Sequence, residues 1–199
     1  MNNLHEANRA IELISQSPGY YEDEEMITFF VTSKGWTGAE WNKYFITCKY
    51  SVRREIREML HLEKFKPTKN ITYKICVLKS ESIKKGHSTT ANILATAKQR
   101  GLREPAIEMA CLIFNKLQGL QLHTLLSFYL ADIIIMHRPI LNKKNNMFYL
   151  IGVEFSEKNT ALDIYYEYVP EDREPQWFAG QHFAFFDPQS TNELQLRIV

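Results

Sequence analysis

Three arginines, Arg53, Arg54 and Arg57, fall within five residues of one another and are preceded by Lys49, Tyr50 and Ser51. Guanidinium groups present forked donors that match phosphate oxygens and the edge of guanine, so a run of them on one helical face is chemistry suited to double-stranded DNA. Lys43, Lys64, Lys66 and Lys69 lie close by in the chain and would add attraction for phosphates, while Lys49, Tyr50 and Ser51 would touch the backbone at the turn. The same residues would also suit an ordinary solvated helix, since Arg54 and Glu58 are four apart and can pair with each other. Catalytic patterns are absent: there is no Gly-rich phosphate loop, no Gly-x-Ser-x-Gly, no His-Glu-x-x-His and no Cys-x-x-Cys. His137, His182, Asp163, Glu167 and Asp187 sit on predicted strands and could converge, though a strand histidine is more often structural. Cys48, Cys76 and Cys111 are odd in number and far apart, which fits reduced thiols better than a disulfide frame or a zinc site. No enzyme activity, cofactor or metal is expected from these residues.

The arginines need an element to carry them, and the stretch WTGAEWNKYFITCKYSVRREIREMLHL, residues 36–62, supplies one. Thr37-Gly-Ala-Glu40 has the form of a capping box and opens a helix on which Ala39, Trp41, Tyr44 and Phe45 recur at roughly helical spacing. The pattern breaks at residues 47–50, and Ser51 can cap a second helix. Val52, Ile56, Met59 and Leu60 follow at i, i+4, i+7 and i+8, leaving the three arginines outside the apolar stripe. Upstream, residues 24–31 read as a further short helix closed by Gly35, although Ile-Thr-Phe-Phe-Val is equally strand-like and periodicity does not decide between them.

In this arrangement the stretch resembles the winged helix-turn-helix of DeoR-type bacterial repressors. The resemblance is carried by Gly35, Thr37, Glu40, Trp41 and Phe45, then by Ser51-Val52-Arg53-Arg54-Glu55-Ile56 and Met59, and it covers about 40 residues. Cys48 replaces the usual turn serine, and Lys64-Phe-Lys-Pro-Thr-Lys-Asn70 replaces the Gly-rich wing. The resemblance implies DNA binding through Arg53, Arg54 and Arg57. The remainder of the chain resembles only small uncharacterised bacterial proteins and adds no function.

Charge is distributed as such a reading requires. The net is +1 over 199 residues, but residues 42–101 hold 14 basic and 4 acidic side chains. Residues 1–41 hold 2 basic and 7 acidic, and residues 152–199 hold 3 basic and 9 acidic. A concentrated basic segment is an electrostatic signature of phosphate binding; the other possibility is that acidic ends fold back over a basic middle. At 45% hydrophobic and 24% charged, the chain is globular rather than disordered. No apolar run approaches the ~20 residues of a membrane helix, and Met1–Glu6 lacks the features of a signal peptide, so a cytoplasmic protein is expected.

The expected fold class is α+β. A helical domain over residues 1–66 holds an N-terminal helix from Leu4 to Ile14 and the helix-turn-helix. Pro67-Thr-Lys-Asn70 marks the boundary. A second α+β domain spans residues 71–189, and residues 190–199 form a tail. The second domain is read as a strand at 71–78, a helix from Ser88 or Thr89 to Arg100, a helix opened by Pro105, and an apolar helix to Leu130. Strands at 133–140, 147–155, 161–169 and 181–186, joined by polar turns, would make an antiparallel meander. Its eight aromatic residues, Tyr165 to Phe186, read as core. The expected function is DNA-binding transcription regulation, as a possible homodimer, with the second domain sensing, assembling or holding a protein partner. The alternative is a non-enzymatic interaction module: an adaptor, inhibitor or effector.

Overall fold

The computed structural model describes residues 21–62, 65–83, 89–119, 132–142, 147–156, 159–167, 177 and 180–189. The expected helix over Leu4–Ile14, the apolar helix ending at Leu130 and the tail at 190–199 lie outside them. Within them runs a mixed eight-stranded sheet. Its strands in chain order are β1 (Tyr21–Glu22), β2 (Met26–Lys34), β3 (Ser51–Val52), β4 (Lys69–Leu78), β5 (Asp132–Asn142), β6 (Met147–Ser156), β7 (Asn159–Glu167) and β8 (Gln181–Asp187). Their spatial order is β1-β2-β4-β8-β5-β6-β7-β3. Neighbours are antiparallel except β8 with β5 and β7 with β3. Among the described residues four α-helices accompany the sheet: α1 (Gly38–Thr47), α2 (Arg54–Met59), α3 (Thr90–Gln99) and α4 (Glu108–Gly119).

Both faces of the sheet are covered, and strand parity shows it. Ile133 and Ile135 of β5 enter a core shared with Trp41, Phe45, Ile56 and Phe114, whereas Ile134 and Met136 enter a second core with Ile93 and Ala97 of α3. Successive side chains of a strand point to opposite faces, so α1, α2 and α4 pack on one side and α3 on the other. Strand β8 sits fourth in the order and is buried at every position from Gln181 to Phe185, as a strand between two covered faces must be.

The expected N-terminal helical domain is overturned. Most of residues 24–31, read as a short helix though equally strand-like, falls in β2 (Met26–Lys34), which pairs with β4 from Met26 opposite Leu78 to Lys34 opposite Lys69. Ile27, Phe29 and Val31 are buried at a spacing of two, which puts one face on the core only in a strand. The two helices of the expected helix-turn-helix do form, but a strand separates them. Ser51 and Val52 pair in parallel with Ala161 and Leu162, and the Arg53 N–H donates to the Leu162 carbonyl at 3.3 Å. Ser51 therefore does not cap α2; Arg53 occupies that position without a side-chain cap. The main core draws Val31, Phe45 and Ile56 from one side of Pro67–Asn70 and Val77, Phe114 and Leu162 from the other.

Candidate nucleic-acid interface

Helix α1 begins at the capping box read from the sequence. The Glu40 N–H donates to Thr37 Oγ1 at 3.3 Å, and the Thr37 N–H donates to Glu40 Oε2 at 2.7 Å. The Thr37 N–H, with the Thr37 hydroxyl donating to the same oxygen at 2.8 Å, holds the Glu40 carboxyl below its ordinary range. The helix ends in a left-handed turn at Lys49, φ 57°, where the Lys49 N–H donates to the Ile46 carbonyl and the Tyr50 N–H to the Phe45 carbonyl. Lys49 is thereby fixed at the helix end with its side chain exposed. Lys43 on α1 is exposed as well, and so is Lys66, next to Phe65, which is buried in the same core as Trp41, Phe45 and Ile56. No ion pair engages Lys43, Lys49 or Lys66 among the described residues. Lys64 lies outside the described residues, and Tyr50 is half-buried against Tyr44 and Phe114.

The arginines are arranged differently from a recognition helix. Arg53 forms a salt bridge with Asp163 on β7, and its Nη2 donates to Asp163 Oδ2 at 3.3 Å. Glu154 lies near both Asp163 and Asp132: burial, then the Asp163 and Asp132 carboxylates, push the Glu154 carboxyl up, and Arg53 opposes them. Arg54 Nε donates to Glu58 Oε1 at 3.0 Å across one turn of α2. Arg57 is half-buried, with its Nε enclosed and without a hydrogen-bond partner. Two of the three arginines thus meet a carboxylate.

The described members of the candidate catalytic set are each engaged by other groups. His137 is buried; the Ile151 N–H donates to its Nε2 at 3.1 Å, and its Nδ1 lies 2.8 Å from the Arg138 carbonyl. That pairing fits the neutral ring with the proton on Nδ1. Burial pushes the imidazole down to about 4. His182 Nδ1 accepts from the Ser80 N–H, Asp163 meets Arg53, and Asp187 meets Lys74. The side chain of Glu167 is outside the described residues. Among those described, no three His, Cys, Asp or Glu groups are placed to hold a metal ion. Cys76 and Cys111 are buried and Cys48 is exposed, all as free thiols.

Sequence reasoning missed the end of β2. Lys34 Nζ lies 4.2 Å from the centre of the Trp36 ring, 5.5 Å from Tyr44 and 5.8 Å from Trp41, and donates to Asn115 Oδ1 at 3.4 Å. The same amide oxygen accepts from the Tyr44 hydroxyl at 2.7 Å. Only the spacing Lys34-Gly-Trp36 hinted at this, because the contact depends on α4 supplying Asn115. Among the described residues, no helix is long and apolar enough to cross a membrane. Comparison of the chain with family models, curated proteins and solved structures gives no match, so the residues themselves carry the functional argument.

Proposed function

We propose that this chain binds double-stranded DNA through a lysine surface on its helical layer, as a non-enzymatic regulatory protein. The observation that carries this is the exposure of Lys43, Lys49 and Lys66 without ion pairs among the described residues. Unpaired ammonium groups are point charges suited to phosphates, where an inserted helix would read bases. Arg53 and Arg54 contribute less, because each must leave a carboxylate to reach a phosphate. The test is fluorescence anisotropy with duplex DNA over a salt series. A Lys43→Gln, Lys49→Gln, Lys66→Gln variant is expected to flatten the log–log salt slope by about 0.9 for each phosphate it no longer neutralises. An Arg53→Ala, Arg54→Ala, Arg57→Ala variant that keeps its fold is expected to change the slope less. Absence of binding at about 50 mM salt, or equal slopes for the parent and the lysine variant, removes this reading.

One observation favours a protein-interaction module. Ile46 is 59% and Leu62 is 42% exposed, and their segments are tied by the Asn42 Nδ2 to His61 Nε2 contact at 2.9 Å. Apolar side chains left on adjacent segments are a partner-binding feature. Self-association in sedimentation velocity, abolished by Ile46→Asp, would support that reading; a monomer at high concentration would remove the homodimer from it.

A further inference from the structure

We propose that Lys34 and Lys69, with Asn115 beside them, form a binding site for a phosphate group. Lys34 and Lys69 are direct cross-strand partners in the β2–β4 pairing. Directly paired residues project from the same side of a sheet, and like charges so placed repel. Several other described cations have acidic partners: Lys74 meets Asp187, Lys79 meets Glu22, Arg100 meets Glu25 and Arg53 meets Asp163. Neither Lys34 nor Lys69 has an ion pair among the described residues. Two paired ammonium groups without a counter-charge are a repulsion that a bound anion relieves.

The pair is also held in place. Lys34 is fixed over Trp36 and against Asn115. Lys69 lies along Gly35: a Cβ at Gly35 would come within 3.0 to 3.2 Å of Lys69 Cγ, Cβ and Cδ. Gly35 has φ +73°, so glycine serves both the turn and the passage of the Lys69 stem. The Lys34 ammonium thus lies over Trp36 and the Lys69 stem along Gly35, and both residues remain exposed to solvent. The Asn115 oxygen is occupied by Tyr44 and Lys34, which leaves its NH₂ group to donate. Partial burial also holds the Lys34 ammonium below its ordinary range, with the Cys48 thiol opposing. Two ammonium groups and an amide donor match the charge and the several acceptors of a phosphate.

The phosphate can belong to a nucleic-acid backbone or to a small phosphorylated molecule. The site does not rest on Lys43, Lys49 or Lys66, so it stands or falls apart from the proposed DNA surface. The test is ¹⁵N NMR of the tryptophan indole and asparagine side-chain signals. The full chain is titrated with inorganic phosphate and with a 5′-phosphorylated dinucleotide at constant ionic strength, with chloride as control. Saturable shifts of the Trp36 and Asn115 signals are expected with both phosphate compounds and not with chloride. Affinity should fall at least tenfold in Lys34→Gln and in Lys69→Gln, and stay unchanged in Lys98→Gln, exposed on α3 at the opposite face, with the same spectra confirming each fold. No saturable shift, or an affinity in both site variants equal to the parent's, overturns the site, even where duplex DNA still binds. Phosphate binding that obeys this pattern without duplex binding keeps the site and removes the DNA reading.

Discussion

Glu108, at the start of α4, is 1% exposed, and its two oxygens are treated unequally. Oε2 accepts from the Thr68 N–H at 2.9 Å and the Thr68 hydroxyl at 2.8 Å, while Oε1 is enclosed without a partner. Burial pushes this carboxyl up against the Thr68 bonds that pull it down. Its titratable neighbours, Cys111 and Tyr73, are pushed up too, so both stay neutral through the acid range. A carboxyl that is harder to ionise in the folded chain binds more protons there than when unfolded. Its contribution therefore falls as pH rises from the ordinary carboxyl value through the raised one. His137 works in the opposite direction: its ring stays neutral down to about 4 in the fold but protonates near 6.5 when unfolded. Stability from that residue is complete above 6.5 and declines as pH falls toward 4. We predict that Glu108→Gln, which keeps an oxygen for Thr68 and removes the charge, raises the urea midpoint at pH 8 by the equivalent of about 1 kcal/mol. The gain should vanish near pH 4, leaving the His137 decline visible alone. A gain of equal size at pH 4 and pH 8 would show that charge burial is not the cause.

At the scale of elements, the capping box at Thr37 and Glu40 was legible because its bonds lie within four residues. The helix at 90–99 was legible for the same reason: Thr89 Oγ1 accepts from the Asn92 N–H, and Gly101 follows at φ +73°. Strands β4 to β8 lie close to the spans read from β-branched and aromatic runs. Residues 26–34 were not legible, since a short apolar run suits either element and only pairing with β4 settles it. Nor was β3, whose partner lies 110 residues away at Ala161–Leu162. Gly38 shows how closely these elements approach. A Cβ there would lie 1.7 Å from the Leu60 carbonyl oxygen, backbone against backbone, in an otherwise ordinary helical position. Gly38→Ala must therefore push α1 away from the end of α2. We predict a loss near the top of the roughly 1–3 kcal/mol range of overpacking, read as a lower urea midpoint. Gly101→Ala meets open space and suffers only from its backbone conformation. Equal midpoints for Gly38→Ala and the parent would refute the close approach.

The whole molecule explains why a local helix-turn-helix pattern arose without a helix-turn-helix domain. Trp41, Phe45 and Ile56 are buried at the spacing a small helical core requires, but their neighbours come from far along the chain. Phe45 meets Phe114 edge to face at 5.7 Å, Tyr44 reaches Asn115, and Val52 is carried on a strand paired to β7. Strand β2 lies between a two-residue edge strand and β4, so without β4 it loses its main hydrogen-bonded neighbour. Two helices of ten and six residues are too short to persist on propensity alone. A fragment of residues 1–66 should therefore lack a cooperative thermal transition by circular dichroism and show collapsed amide dispersion, whereas the full chain melts cooperatively. An independent DNA-binding domain would do the reverse, melting as a unit and keeping its dispersed spectrum. If the fragment folds, the shared core is not required for the helix pair, and a recognition helix would again be available. If it does not, Arg53 and Arg57 owe their positions to the sheet, and any nucleic acid must dock on the assembled surface.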